Sequence, residues 1–187
     1  MIDVRLLPAD AAQREQSALA ETLADCVAGG ASVNFMWPYT IADAHRWWSG
    51  IIENVASGKA VLFGGYADGA LAGTVQLGLD SPPNQRHRGD VRKLLVHRRA
   101  RGRGLAGALM GAMEAEAVRR GLTLLTLDTV TGSTAERLYQ RLGWTKTGII
   151  PNYALFPDGR PCATTIFWKA VGEGAAKPAV AEPGEPS

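Results

Sequence analysis

The chain has 187 residues, of which 46% are hydrophobic and 20% charged, a balance that suits one globular domain with a short appendage and excludes wholesale disorder. The formal net charge is only +2, yet eight of the 20 Lys and Arg residues lie between Arg86 and Arg103, beside His87 and His97, so that stretch should meet an anion. Cys26 and Cys162 stand alone, without clustered histidines at metal-ligand spacing, so reduced thiols and no metal are expected. The N-terminus lacks a secretory pattern and no run approaches about 18 apolar residues, which reads as a cytoplasmic protein.

In chain order, Val4 to Leu7 is a short strand ending at Pro8, and Ala9 to Val27 reads as one helix stopped by Gly29-Gly30. An aromatic loop, Ala31 to Tyr39, precedes a second helix from about Ile41 to Val55. Lys59 to Tyr66 and Ala70 to Leu79 are strands joined by Ala67-Asp68-Gly69, a hairpin signal. After the break at Ser81 to Gln85, Asp90 to Val96 is a strand that runs into the basic, glycine-rich segment. The next helix spans Leu105 to Arg120, with Leu105, Leu109, Met113 and Ala117 on its apolar side and Glu116 and Arg120 paired on the wet side. Leu122 to Leu127 reads as a strand buried on both faces, with Asp128 at its carboxyl end. Ser133-Thr-Ala-Glu136 fits a capping box opening a helix that contains Tyr139 and stops at Gly143. Trp144 to Phe156 and Ala163 to Val171 form a final strand pair across Pro157-Asp-Gly-Arg160. The result is an α+β sandwich, a mixed but mostly antiparallel sheet of about seven strands with about four helices, in one domain over 1–171. Residues 172–187 have almost nothing to bury and are expected to form a disordered tail.

The segment that carries most information is Leu94-Leu-Val-His-Arg-Arg-Ala-Arg-Gly-Arg-Gly-Leu-Ala106, a strand, a loop with two glycines one residue apart, and a helix. Positions without side chains at Gly102 and Gly104 let phosphate oxygens reach main-chain N–H groups, and the helix adds its unpaired N-terminal donors. A pyrophosphate is the natural guest, with Arg98, Arg99, Arg101 and Arg103 supplying charge. Gly107 completes a Gly-x-Gly-x-x-Gly pattern, so a dinucleotide fold passes the spacing test. It is disfavoured because several elements precede this unit and only Asp128 is available as the acidic partner.

Arg99-x-x-Gly102-x-Gly104-x-Ala106 following Leu94-Leu95-Val96 resembles the acetyl-CoA signature of the GNAT N-acetyltransferases, and Ala135-x-x-x-Tyr139-x-x-x-Gly143-Trp144 resembles their second cofactor element. The resemblance covers roughly Leu71 to Trp168 and implies a GNAT fold with acetyl-CoA as co-substrate. It implies that Leu94, Leu95 and Val96 pair with the pantetheine, while Arg101, Gly102, Arg103, Gly104, Leu105 and Ala106 hold the pyrophosphate. Many relatives carry Asn seven residues before the tyrosine. This chain has Gly132 there, beside Ser133, which is taken as a cofactor contact in its place. Asp90-Val-Arg-Lys-Leu-Leu-Val96, Leu127-Asp128-Thr129, Gly132-Ser133 and Pro157-Asp-Gly-Arg160 are similar to the tabtoxin-resistance subgroup.

Through the resemblance, Tyr139 is the acid that protonates the departing thiolate, its bland rival being a packed helix tyrosine. Asp128 is the expected base for the acceptor ammonium, with Asp90 a second carboxylate that shares the role or binds the amine. Asn34, Phe35 and Trp37, with Tyr39 and Trp48, either wall the acceptor pocket or belong to the core. Cys162 lacks a neighbouring histidine and is not expected to carry acetyl. The expected activity is transfer of acetyl from acetyl-CoA to the primary amine of a small molecule by direct attack, with toxin or antibiotic resistance as a conceivable setting. No nucleic acid or membrane partner is expected, and a homodimer is one option. The alternative is a non-catalytic nucleotide- or RNA-binding module using Arg86 to Arg103.

Overall fold

The computed structural model describes residues 1–172. The expected tail falls outside the described residues from 173 onward. Seven strands form one sheet: β1 (Ile2–Leu6), β2 (Ala60–Ala67), β3 (Ala70–Gly78), β4 (Arg88–Val96), β5 (Leu124–Val130), β6 (Thr145–Leu155) and β7 (Pro161–Ala170), in spatial order β1-β2-β3-β4-β5-β7-β6. Every neighbouring pair is antiparallel except β4 with β5, so the sheet is mixed as its sequence implies.

Five α-helices flank it: α1 (Ala9–Arg14), α2 (Gln16–Ala28), α3 (Ile41–Ala56), α4 (Leu105–Arg119) and α5 (Thr134–Arg141). The single helix expected over 9–27 is two, because the chain bends at Glu15, whose carboxylate accepts a 3.0 Å bond from the Tyr66 hydroxyl on β2. Thr40 and Asp43 cap α3 reciprocally, the Thr40 hydroxyl accepting from the Asp43 amide at 3.1 Å. At α5 the Ser133 hydroxyl accepts from the Glu136 amide at 3.0 Å. The Glu136 carboxylate reaches back one residue further than a standard box, to the Gly132 amide.

Two cores result. Helices α4 and α5 cover one face through Leu105, Leu109, Met113, Leu125, Leu127, Tyr139 and Phe167, while α1 to α3 cover the other through Leu19, Leu23, Trp48, Leu62 and Leu71. Gly65 and Gly73 explain how closely α4 lies on the strands. A Cβ on either would stand 3.1 Å from the Leu109 side chain, and one on Gly65 would meet Leu105 at 3.0 Å. Glu116 does not sit on a wet face as expected. It is 7% exposed and accepts from both Arg119 and Arg120, which cover it.

Two departures from regular pairing create the site. β4 and β5 pair in parallel only at Arg88–Leu124, Gly89–Leu125 and Asp90–Thr126, after which β4 stays with β3 and β5 with β7. Between Thr74 and Gln76 the β3–β4 register shifts opposite Lys93, a residue at φ 51°, and this bulge turns β4 away from β5. A wedge opens between the two strands toward their C-terminal ends. β5 is also less buried than its apolar run implied: Leu125 and Leu127 face the α4/α5 core, whereas Thr126 and Asp128 alternate to the other face, and Asp128 lies within the strand, which continues to Val130.

Candidate active site

The glycine-rich loop follows β4 directly, with a short 3-10 turn at Arg98–Ala100. Gly102 and Gly104 adopt φ 74° and 84°, the left-handed region that residues with a Cβ avoid, and Gly104 hands the chain to α4. Among the described residues, the amides of residues 102–107 have no backbone acceptor; the first main-chain bond of α4 runs from Ala108 to the Gly104 carbonyl at 3.1 Å. Space is open beside Gly102, and only the Ile2 side chain comes near Gly104. Unpaired donors, a helix N-terminus and room for a bulky anion fit the diphosphate of a coenzyme A derivative.

The arginines of the loop do not point into that space as the sequence implied. Arg99 donates to the Leu71 carbonyl at 2.8 Å and to Glu21 at 3.0 Å. Arg101 donates to the Val96 carbonyl at 3.0 Å, and Arg103 grips Asp68 of the β2–β3 turn with bonds of 2.7 and 2.9 Å. Arg98 is held by Asp25 and Arg92 by Asp80 at 3.1 Å. Five of the eight cations of this stretch, Arg88, Arg92, Arg98, Arg99 and Arg103, thus meet a carboxylate within the fold, so it presents less free charge than its composition implied.

Leu94, Leu95 and Val96 line the wedge on the β4 side. Leu95 is buried against the α1–α3 core, Leu94 and Val96 pack toward α4, and Thr74 and Gly73 of β3 pair with Leu95 and Val96. Leu105 is buried and Ala106 half-buried in the first turn of α4. Ser133 has its hydroxyl committed to the α5 cap.

Across the wedge lies a cleft of about 350 Å³ lined by Arg88, Asp90, Arg92, Thr126, Asp128, Tyr153 and their apolar neighbours. Its two carboxylates differ. Asp90 accepts from the Thr126 hydroxyl and is flanked by Arg88 at 3.5 Å and Arg92 at 3.4 Å. Asp128 has no ion pair among the described residues. Crowding by protein pushes its carboxyl above the usual range, with the Lys93 ammonium opposing and Asp90 adding to the shift. Tyr139 is 6% exposed, its ring beside Trp144 and Phe167 at centroid distances of 6.0 and 6.1 Å. Burial first, then the Asp128 charge, push its phenol well above the usual value, so it stays protonated at every working pH.

The aromatic loop divides between the two readings given for it. Phe35 packs on the α1–α3 core, 4.6 Å from Tyr39 and 5.5 Å from Trp47. Trp48 is fully buried. Asn34 is exposed at φ 77°, and Trp37, 49% exposed, donates its indole N–H to the Val27 carbonyl at 3.1 Å. Sequence reasoning missed Lys93, whose position in a bulge has no local signature, and the pair Arg88 and Thr126, which pairing of distant strands brings beside Asp90.

Residues 30–144 match the Acetyltransferase (GNAT) family. The chain belongs to that family. As a GNAT protein it is an acetyltransferase that draws on acetyl-CoA, as the two motifs implied. Solved structures share the fold. A GNAT superfamily phosphinothricin acetyltransferase from Sinorhizobium meliloti, in complex with acetyl-CoA, is 17% identical at a TM-score of 0.77, covering 96% of this chain and 94% of its own. A candidate acetyltransferase from Salmonella typhimurium, with its cofactor acetyl-CoA, is 21% identical at 0.75, covering 95% and 98%. A ribosomal-protein-alanine N-acetyltransferase from Brucella melitensis is 19% identical at 0.74, covering 90% and 99%. Among the described residues no cluster of three His, Cys, Asp or Glu is arranged for a metal, and no helix is long and apolar enough to cross a membrane.

Proposed function

We propose that this GNAT enzyme moves the acetyl group to the primary amine of a small molecule by direct attack within a ternary complex. The observation that carries the reading is the Asp128 carboxylate in the cleft lining, which has no ion pair among the described residues and whose basicity burial raises, close enough for its charge to act on the buried Tyr139 phenol. Acetyl-CoA supplies a thioester carbon open to a neutral amine. The amides of residues 102–106 hold its diphosphate, and the β4 edge at Leu94 to Val96 lines the pantetheine path.

Asp128 takes the proton of the acceptor ammonium, directly or through water, because only the free amine has a lone pair to attack with. The N–C bond forms, the nitrogen gives up its second proton to water, the C–S bond breaks, and Tyr139 delivers its proton to sulfur, regaining one from solvent while Asp128 releases its own. Asp90, bonded to Thr126 and flanked by two guanidiniums, orients Arg88 and Arg92 rather than sharing the base role. Cys162 donates toward the Ser32 hydroxyl at 3.6 Å and has no histidine beside it, so no acyl-cysteine step is included.

The neighbours act, by name, on phosphinothricin in one case and a ribosomal-protein alanine in another, so the fold alone leaves the size of the acceptor open. A cleft of about 350 Å³, at the lower end for small-molecule sites, supports a small one. The test is thiol release from acetyl-CoA over amino acids, β-lactam amino acids, aminoglycosides, polyamines and peptides, with mass spectrometry of the products. Tyr139→Phe should lose about 100-fold in kcat while coenzyme A affinity by calorimetry is retained. A protein that binds coenzyme A yet acetylates none of these amines sinks the reading.

A further inference from the structure

The segment between α2 and α3 crosses the mouth of the wedge as a strap. On the far side it is tied to the β6–β7 hairpin, where the Ser32 hydroxyl donates to the Leu155 carbonyl at 2.7 Å and the Trp37 amide to the Pro157 carbonyl at 3.0 Å. On the near side it is held from β4 by Lys93. Lys93 Nζ donates to the Val33 carbonyl at 2.8 Å and stands 5.4 Å from the Phe35 ring centroid and 5.7 Å from that of Trp47. Those two rings meet edge to face. The left-handed backbone at position 93, uncommon for a residue with a long side chain, belongs to the same bulge that parts β4 from β5.

We propose that Lys93 is the positioning residue of the acceptor side: its ammonium, shared between the Val33 carbonyl and the faces of Phe35 and Trp47, fixes the strap across the mouth of the wedge, where the strap adds an outer wall beyond the residues that line the amine-binding cleft itself. This rests on the reading of that cleft as the acceptor site. One side chain thereby couples the opening of the wedge to the shape of its wall, since displacing Lys93 from the bulge would break both ties at once. A cation held against two aromatic faces away from bulk water is bound more firmly than at an exposed site. Burial works the other way on its protonation and pulls the Lys93 ammonium down to about 8, with Arg92 adding to the shift and Asp128 opposing it. The charged and titratable groups around it are Asp128 from β5 and Arg92 and Asp90 from β4. Tyr139 of α5 joins them through Asp128. From the strap comes the Tyr39 phenol, which burial pushes up to about 12, and from α3 comes Asp43, engaged by Thr40 and Arg46.

The deciding experiment compares wild type with Lys93→Met, which keeps length and removes charge, and Lys93→Arg, which restores a cation. Hydrogen exchange on the free protein should show amides 31–39 of Lys93→Met exchanging faster, with α4 unchanged and Lys93→Arg close to wild type. With an acceptor in hand, Lys93→Met should raise the acceptor KM roughly tenfold or more and leave the acetyl-CoA KM within about twofold. The acid limb of its kcat/KM profile should move to higher pH, because Asp128 loses the cation that lowers its pKa. Lys93→Gly suits the left-handed backbone and should repeat the exchange result if the methionine variant fails to fold. Unchanged exchange in 31–39 overturns the proposal whatever the acceptor. Faster exchange with an unchanged acceptor KM overturns it as well, since the strap would then not be the acceptor wall. A wild type that acetylates no amine breaks the function proposed above, while the exchange arm still decides whether Lys93 holds the strap.

Discussion

The two halves of the site present opposite parts of the polypeptide to their ligands. In the loop after β4 the side chains turn inward, Arg99 onto Leu71 and Glu21, Arg101 onto Val96 and Arg103 onto Asp68, and the main-chain amides are left bare. In the cleft β4 and β5 still pair at Arg88, Asp90 and Thr126, and the side chains of these residues, with those of Arg92 and Asp128 just beyond, line the open space. Coenzyme A should therefore be gripped by backbone geometry and the amine read by side-chain charge. Substitutions that add a Cβ should injure one half, and substitutions that delete a charge the other.

The largest effect is expected in the cleft. Asp128→Asn should lower kcat/KM by about 100- to 10,000-fold, the usual worth of a positioned base, with coenzyme A affinity unchanged. Its stability should move the opposite way from its activity. A carboxyl whose folded pKa is raised favours the folded state at low pH and loses that contribution as pH rises through the folded value, so at neutral pH its charge costs stability. The asparagine variant should melt at or above the wild-type temperature. For the same reason wild-type kcat/KM should fall as pH drops through a value above the ordinary aspartate range. A profile flat through the acid range, or retained turnover in the asparagine variant, would transfer the base role away from Asp128.

Next in size is the loop. Gly104→Val places a branched side chain at φ 84° in space that is open in the protein but lies where the anion must approach the amides. Coenzyme A affinity by calorimetry should weaken about 10- to 100-fold, with a modest loss of thermal stability from the left-handed backbone. Unaltered affinity would mean that the diphosphate sits elsewhere.

The contrast between backbone and side-chain recognition also explains what the sequence made legible. The strand, two glycines and helix from Leu94 to Ala106 are contiguous, so their spacing reports the geometry directly, and turn chemistry at Asp68-Gly69 and Asp158-Gly159 placed the hairpins. The helical placement of Tyr139 was legible because the capping residues Ser133 and Glu136 and the stop at Gly143 bracket it within one short segment. The arginines misled because a charge count does not say where a guanidinium points, and their acceptors, Glu21, Asp25 and Asp68, come from segments 35 to 78 residues away. Lys93 was illegible for a related reason: a bulge is a mismatch between two strands, absent from either one alone. The spacing of Glu116 and Arg120 implies a surface pair, whereas Arg119 covers the same carboxylate from the other side.

The smallest effect provides the sharpest test of the contrast. Arg103 is the loop arginine that stands nearest the bare amides in sequence, lying between Gly102 and Gly104, and a phosphate could be expected to draw it in. Its guanidinium instead makes a two-pronged pair with Asp68, whose carboxyl is held well below the usual range by that partner. Exposed pairs of this kind add little to stability, so Arg103→Ala should fold normally. If the amides carry the diphosphate, coenzyme A affinity in Arg103→Ala should fall by less than about fivefold, and Asp68→Asn, which frees the guanidinium, should leave it unchanged or slightly tighter. Raising the salt concentration should shrink the difference between Arg103→Ala and wild type, since only long-range attraction distinguishes them. A loss in Arg103→Ala as large as that in Gly104→Val, persisting at high salt, would show that the arginine leaves Asp68 for the phosphate, and the division between a backbone half and a side-chain half would no longer describe this enzyme.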